Sequence, residues 1–299
     1  MKLTNNLNFP EWIADVLRWC HGQYERGTAD FTASELVAPV QQRALLKKFA
    51  DVITRDISQI VDLVIGKAIH LFFETALKNL GIDYIEFEVR LTAAYVVAGK
   101  LVTVSGQFDA YDTKTRTLWD FKAVKASAVG FGAKDDYASQ LNIYADLIKN
   151  TGKPEPVALR NLYIIKDWSP IDLLRDKSGE YPKAPLIIIE LPLMSAVERQ
   201  AYIVGRIQAH QAGADGCSSA EMWEKPGKLA VKKPGAARAM NGGLFDPSQR
   251  AEAEAMAIKN KAEIEVRPAL RTRCQFFCSV SELCPQYAEF VKPKEGATV

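Results

Sequence analysis

The sequence predicts an α/β protein: a mixed β-sheet with helices on its faces, a helical N-terminal segment, and a small cysteine-containing C-terminal appendage. Three observations lead there. Ile60, Val61, Val64, Ile65, Ala68, Ile69, Phe72, Phe73, Ala76 and Leu77 recur at three and four, the period of one long amphipathic helix. From Tyr84 to Val104 the chain becomes rich in β-branched and aromatic residues, punctuated by Gly99-Lys100, as strands are. Helical and strand-like stretches then alternate to about residue 212, the pattern of a sheet covered by helices.

In order along the chain, residues 1–58 form the helical N-terminal segment. Apolar residues in Trp12-Ile13-Ala14-Asp15-Val16-Leu17 recur at helical spacing, and a second helix opens near Ser34 and reaches Leu46. Residues 59–212 form the core. Its long helix stops at Asn79-Leu80-Gly81, with glycine where a C-cap belongs. The stretches 105–111 and 116–124 are strands joined by the polar turn Asp112-Thr113-Lys114-Thr115, hence a hairpin. A helix over about 136–149, strands over 159–165 and 186–191, and a helix from Ser195 to Ala212 complete the core. Residues 213–299 change character, with basic loops at Lys225-Pro226-Gly227-Lys228 and Lys232-Lys233-Pro234-Gly235. An alanine-rich helix over Pro247 to Ile264 and a short cysteine-rich end follow.

A chain of 299 residues can bury a sizeable core, and 48% hydrophobic with 25% charged residues is ordinary globular composition. The net charge of +2 marks no strongly basic protein, so a nucleic-acid surface would have to be a local patch. No stretch approaches about 20 apolar residues, which argues against a membrane span. No apolar signal core follows Met1-Lys2-Leu3-Thr4. A cytoplasmic protein without a membrane partner is expected, its five cysteines reduced or metal-bound rather than paired.

The hairpin carries the chemistry. With a symmetric turn, residues whose numbers sum to 229 face each other, and Asp109 and Asp120 do so. Opposed Cβ atoms lie about 4.5–5.5 Å apart, a spacing at which two carboxylates repel unless a cation lies between them. Lys122 shares the face of Asp120, while Trp119, Phe121 and Ala123 take the other, core-facing side. Mg²⁺ or Mn²⁺ suits such a site: it binds through one or two carboxylates, keeps waters and accepts phosphate oxygens. It also acidifies a bound water, which a lysine can orient, deprotonate or complement electrostatically. Two helices add candidates. Gly66 and His70 share a face that Glu74 continues, so His70 is either a third metal ligand or a half-buried, hydrogen-bonded histidine. Gln140 and Tyr144, four apart, either contact substrate phosphate, steady Lys122, or belong to core and surface.

The ordered set Gly66-x-x-x-His70, Gly106-x-x-Asp109, Asp120-x-Lys122 and Gln140-x-x-x-Tyr144 resembles the RecB-type branch of the PD-(D/E)xK nucleases. That branch includes phage exonucleases and CRISPR-associated iron–sulfur nucleases. The resemblance spans roughly residues 30–210 and implies a restriction-endonuclease-like core. It implies His70, Asp109 and Asp120 as metal ligands, Lys122 as the catalytic lysine, and Gln140 and Tyr144 as the helix motif behind the site. A further glutamate is common in the family, and Glu74, Glu86 and Glu88 are all open.

Cys274-x3-Cys278-x5-Cys284, with Cys217 upstream, can hold a [4Fe–4S] cluster or zinc, with a structural role. Related iron–sulfur nucleases take a fourth cysteine from before the core. Residues 37–42 offer none, so Cys217 is the expected fourth ligand and Cys20 the alternative. Lys225, Lys228, Lys232, Lys233 and Arg238 are candidates for sequence-blind contacts to DNA phosphates, or plain solvated surface. Trp119 and Trp223 can stack on bases or fill core. The expected function is a metal-dependent, exonuclease-like deoxyribonuclease of a bacterial or phage-infected cell, acting in recombination, repair or replication, with a recombination or annealing protein as possible partner. A site-specific endonuclease and a non-catalytic DNA-binding subunit are the alternatives.

Overall fold

The computed structural model describes residues 2–22, 27–130 and 134–292. They form two compact units, Met1–Ala38 with Ala50–Gly213, and Pro39–Phe49 with Ala214–Val299. The expected separate segment 1–58 is therefore divided between them.

The first unit opens with β1 (Lys2–Thr4), α1 (Glu11–Gly22), β2 (Phe31–Thr32) and α2 (Ala33–Val37), while α3 (Val40–Lys48) belongs to the second unit. The single helix expected from Ser34 to Leu46 breaks at Pro39. Proline pushes the preceding Ala38 out of the helical region, to ψ 151. α2 starts from a capping box, Thr32 and Glu35 each satisfying the other's backbone N–H. β3 (Thr54–Asp56) pairs in parallel with β1, and a 3₁₀ turn leads into α4 (Val61–Asn79). The core follows as β4 (Ile85–Val97), β5 (Lys100–Asp112), β6 (Thr117–Val124), α5 (Ala126–Val129), α6 (Asp135–Asn150), β7 (Ala158–Ile165), α7 (Pro170–Arg175), β8 (Leu186–Leu191) and α8 (Ala196–Ala212).

The sheet is mixed: β4–β5, β5–β6 and β7–β8 are antiparallel, β6–β7 and β2–β5 parallel. β4 occupies one edge of β5 along nearly its whole length. β2 and β6 therefore share the other edge, β2 at Val104–Ser105 and β6 at Ala110–Asp112, leaving residues 106–109 unpaired there. Helices cover both faces. Phe73 of α4 packs on Phe121 of β6, with ring centroids 4.5 Å apart. On the other face α6 supplies Leu141, Tyr144, Leu147 and Ile148 to a core that includes Val104, Phe108 and Leu118.

That core contains both Phe108 and Tyr111 of one strand. Strict alternation sends residues three apart to opposite faces, so the phase of β5 slips by one residue between them. Asp109 stands in the slip, and Glu88, its counterpart on β4, interrupts the ladder with a left-handed φ of 54°. The face of Asp120 and Lys122 is consequently not turned away from the core: Leu118 on it is fully buried, and Asp120 is 3% exposed. Trp119, Phe121 and Ala123, expected to face the core, are only half-buried. The helix expected around Trp12–Leu17 is present as α1, but much of its apolar stripe points outward: Trp12, Val16 and Trp19 are exposed.

Besides α3, the second unit has β9 (Glu224–Lys225) and a three-stranded antiparallel sheet of β10 (Lys228–Lys232), β11 (Leu244–Phe245) and, after α9 (Arg250–Asn260), β12 (Glu263–Arg267), in the order β11-β10-β12. α9 packs on it through Ala253 and Ala257. The helix expected to reach Ile264 stops at Asn260, because Lys261 turns left-handed with φ 48° and Ile264 pairs with Val231. β13 (Leu270–Arg271) pairs with β9, and α10 (Thr272–Phe276) and α11 (Pro285–Val291) close the described chain. Among the described residues no helix is long and apolar enough to cross a membrane.

Gly106 is the seam between α6 and β5. A Cβ there would lie 2.6 and 2.8 Å from Tyr144 ring carbons and 3.0 Å from a Leu147 methyl. Gly106→Ala is expected to cost about 1–3 kcal/mol of stability, the scale of core overpacking, and Gly106→Val more. Urea denaturation of the variants checks this, and an unchanged midpoint for Gly106→Val would contradict the packing.

Candidate active site

The site lies where the β5–β6 ladder opens. Pairing runs Asp112↔Thr117, Tyr111↔Leu118 and Ala110↔Trp119, each pair summing to 229 as expected, and then stops one step short of Asp109 and Asp120. At that point the Asp109 carboxylate replaces the backbone carbonyl, accepting the Phe121 N–H at 2.6 Å. The two strands then diverge, and side chains from both faces reach the fork. α4 brings His70, whose Nε2 is 3.6 Å from Asp109 Oδ2. β6 brings Asp120 and Lys122, with Lys122 Nζ 2.8 Å from Asp120 Oδ1 and 2.7 Å from Oδ2.

Glu88 completes the row. It accepts from His70 Nδ1 on one oxygen and from Gln107 Nε2 on the other. A carboxylate on Nδ1 fixes the tautomer that leaves Nε2 free to bind a metal. Ligand atoms of His70, Glu88 and Asp109 all lie within 4.8 Å of one another. Of the three open glutamates, Glu86 is engaged by Lys153 at 2.6 Å and Glu74 by Lys78 at 2.7 Å, so Glu88 alone of them stands at the fork.

The charges strain one another. Burial, reinforced by the negative charge of Asp120, pushes the Asp109 carboxyl up to about 7. Burial also raises Asp120, against the pull of Lys122. Burial alone would lower His70, but its hydrogen bond to Glu88 and the charges of Asp109, Glu88 and Asp120 raise it. Lys122 is raised in the same way, the Asp120 charge outweighing burial. The cluster is thus short of positive charge, and Asp120 Oδ2, buried, receives no aligned hydrogen bond. A divalent cation fits such a donor set: one imidazole nitrogen and hard carboxylate oxygens.

A cavity of about 450 Å³ opens beside the fork, lined by His70, Glu88 and Asp109 and also by Lys67, Arg90, Gln107, Gln140, Tyr144, Thr32 and Ser34. Asp120 and Lys122 do not line it. Tyr144 is core, its hydroxyl accepting from Gln140 Nε2 at 2.7 Å. Lys122 is steadied instead by Tyr137, its Nζ 4.9 Å from the ring centroid. Sequence spacing did not single out Glu88, Tyr137, Lys67 or Arg90. Glu88 and Arg90 sit in a strand whose phase slips, which hides their face; Tyr137 and Lys67 carried a usable signal, lying on the helices of Gln140 and His70.

In the second unit Cys217 feels Cys274, Cys278 and Cys284 electrostatically, and burial with Glu221 and these neighbours pushes its thiol up to about 12. Gln286 pins Cys217 from both sides, accepting its N–H and donating to its carbonyl, each at 2.8 Å. Cys20, the alternative, is buried on α1 of the first unit. Three of the basic candidates already have partners: Lys228 pairs with Asp246 at 2.6 Å, Lys232 with Glu265 at 2.8 Å, and Lys233 donates to the Asn260 carbonyl. Lys225 and Arg238 are exposed. Trp223 packs on Phe277 and Arg273, and Trp119 lies half-buried under the Arg160 guanidinium.

No protein-family profile matches the chain, and no curated protein does. Among solved structures, one described as SSO0001 aligns with TM-score 0.46 and 20% identity, over 68% of this chain and 87% of that one. A phage related exonuclease from Haemophilus somnus 129PT aligns with TM-score 0.25 and 8% identity, over 66% of this chain and 78% of that one. Likeness at this level carries no argument about function, which must come from the residues themselves.

The raised Asp109 carboxyl has a consequence for the metal-free protein. The folded chain holds a proton there up to about pH 7, whereas the unfolded carboxyl releases it near 3.8. Stability from this proton is complete below the lower value and lost as pH rises through the upper one. In chelator, wild type is expected to lose stability relative to Asp109→Asn between about pH 3 and about pH 8, which bracket that window. Melting curves of both proteins at the two pH values decide it; parallel losses would mean that Asp109 is not strained.

Proposed function

We propose that this chain is a metal-dependent DNA nuclease of the PD-(D/E)xK type, exonuclease-like, that hydrolyses phosphodiester bonds without a covalent intermediate. The observation that carries the reading is the buried meeting of Asp109 and Asp120, beside His70 and Lys122, at an open fork in the sheet. Repelling carboxylates are costly in a core, and a site that binds a divalent cation is the chemical setting that makes the arrangement favourable.

His70, Glu88 and Asp109, whose ligand atoms lie within 4.8 Å of one another, would hold Mg²⁺ or Mn²⁺, and Asp120, expected as a ligand but outside that group, would join them. The bound cation would supply Lewis acidity toward a phosphate oxygen and a water of lowered pKa. The chain's own groups do the rest. Glu88 orients His70 through Nδ1, and Gln107 orients Glu88. Lys122 stays an ammonium in the metal-free site, raised by Asp120, and so serves to offset negative charge that grows on the phosphoryl oxygens. Lys67 and Arg90, on the cavity wall, offer positive charge to flanking phosphates. In hydrolysis, water oxygen bonds to phosphorus, the P–O bond to the leaving strand breaks, and a proton ends on that leaving oxygen.

End-labelled single- and double-stranded DNA, digested over time with Mg²⁺ or Mn²⁺, tests the reading. Asp120→Ala is expected to fall to background, and Lys122→Met to lose on the order of 10²–10³ in rate, the scale of removing one transition-state donor. Digestion that persists in chelator, or in Asp120→Ala, would refute it. Fragments of defined internal length would indicate a site-specific endonuclease, and DNA binding without cleavage an assembly subunit. Lys225 and Arg238, both exposed, Arg238 beside a concavity of the second unit, are the remaining candidates there for phosphate contact, and a recombination or annealing protein the candidate partner.

We further propose a [4Fe–4S] cluster on Cys217, Cys274, Cys278 and Cys284 rather than zinc. A tetrahedral zinc with Zn–S near 2.3 Å would hold its sulfurs about 3.8 Å apart. Among the described residues, no three cysteine sulfurs close to within 4.8 Å of one another, so the four are not drawn together at zinc-ligand spacing. Anaerobically purified protein is expected to absorb broadly in the visible, and Cys278→Ser to lose that absorption; a colourless protein carrying one zinc per chain would favour the alternative.

A further inference from the structure

Two asparagines are wholly buried, Asn142 and Asn161, each 0% exposed, and they differ in one respect. Asn142 is fully used: Nδ2 donates to the Ala138 and Pro192 carbonyls, each at 2.9 Å, and Oδ1 accepts the Met194 N–H at 2.8 Å. It is a structural asparagine, tying α6 to the segment after β8. Asn161 is not used this way. Neither of its amide atoms has an aligned hydrogen-bond partner; its one polar contact is a poorly aligned hydrogen bond with the neighbouring Tyr163 hydroxyl. A buried amide without partners lowers stability, and folds rarely keep one without a purpose.

Its position supplies the purpose. In the parallel β6–β7 register Asn161 sits beside Asp120, and Tyr163 sits beside Lys122. Residues paired in this way point to the same face of the sheet. Asp120 Oδ2 is the complementary orphan: buried, 2.7 Å from Lys122 Nζ, yet without an aligned donor, because Lys122 donates to Oδ1. A buried amide lacking an acceptor and a buried carboxylate oxygen lacking a donor therefore stand on adjacent strands at one register position. On the far side of Asn161 the register neighbour is Ile189, which offers no hydrogen bond.

We propose that Asn161 is a positioning residue of the metal site, its side-chain amide hydrogen-bonding the Asp120 carboxylate in the cation-loaded protein and holding that carboxylate aimed. This rests on the reading of Asp120 as a metal ligand. Carboxylate ligands are commonly oriented by such a partner, whose removal weakens metal affinity or activity by roughly 10–100-fold. In the metal-free protein the amide's polar contact, with the Tyr163 hydroxyl, is poorly aligned and contributes little, so its replacement by an apolar residue of similar size leaves the fold as stable or more so. A structural asparagine behaves in the opposite way.

The test is Mn²⁺ binding without DNA, by electron paramagnetic resonance of free Mn²⁺, on wild type, Asp120→Asn and Asn161→Leu, with urea denaturation of each in chelator. Asn161→Leu is expected to bind Mn²⁺ about 10–100-fold more weakly while its metal-free stability is unchanged or higher. Where Leu does not fold, Asn161→Ser, polar but too short to reach Asp120, is expected to show the same weakening. Should wild type bind Mn²⁺, Asp120→Asn lose it, and the Asn161 variants match wild type, the Asn161 proposal alone falls. A loss of stability with unchanged affinity overturns it equally. If wild type takes up no Mn²⁺, the metal reading fails and this proposal with it.

Discussion

Everything at the site depends on one hydrogen bond, from the Phe121 N–H to the Asp109 carboxylate. In an uninterrupted antiparallel ladder that donor would go to a backbone carbonyl of β5. Giving it to a side chain ends the ladder after Ala110↔Trp119, and the strands part. The parting admits His70 from one face and exposes Asp109 to a cavity, while Asp120 stays buried and Lys122 half-buried on the α6 side. Glu88 makes the matching break on β4, at the cost of a left-handed backbone, a strain typical of functional positions.

The rest of the first unit serves to hold this opening. Gly106 lets Tyr144 lie directly on β5 just before the fork, so α6 clamps the strand where it has lost its neighbour. Aromatic packing of Phe73, Phe87 and Phe121 fixes α4 on the other side, and with it the imidazole. The charge cluster gains nothing from this enclosure without a cation. Burial, which stabilises the aromatic layer, is the same factor that raises both carboxyls.

Much of the core was legible in the sequence, because its signals were local and redundant. The long helix 61–79 announced itself by period and by its terminal glycine, and the short turn at 112–115 fixed the hairpin register that brings Asp109 and Asp120 together. What stayed hidden was non-local. The matching break in β4 at Glu88 cannot be read from a strand that alternates well beyond it, so Glu88 could not be told from Glu86. The basic run at 225–233 looked free, yet Asp246 and Glu265, distant in sequence, neutralise Lys228 and Lys232. The buried triplet Leu229-Ala230-Val231 between lysines concealed a strand as a loop. Trp12 and Trp19 show the limit of periodicity, which finds an apolar stripe and not what covers it.

The slip in β5 also restricts how this protein can vary. Phe108 and Tyr111 anchor two halves of one strand to the same core, and Asp109 owes its direction to the odd spacing between them. A single-residue insertion or deletion there would either rotate half of the strand's core residues into solvent or turn the carboxylate inward. Surface loops elsewhere tolerate changes of length, whereas this stretch admits substitution only, its residue count setting where the Asp109 carboxylate points.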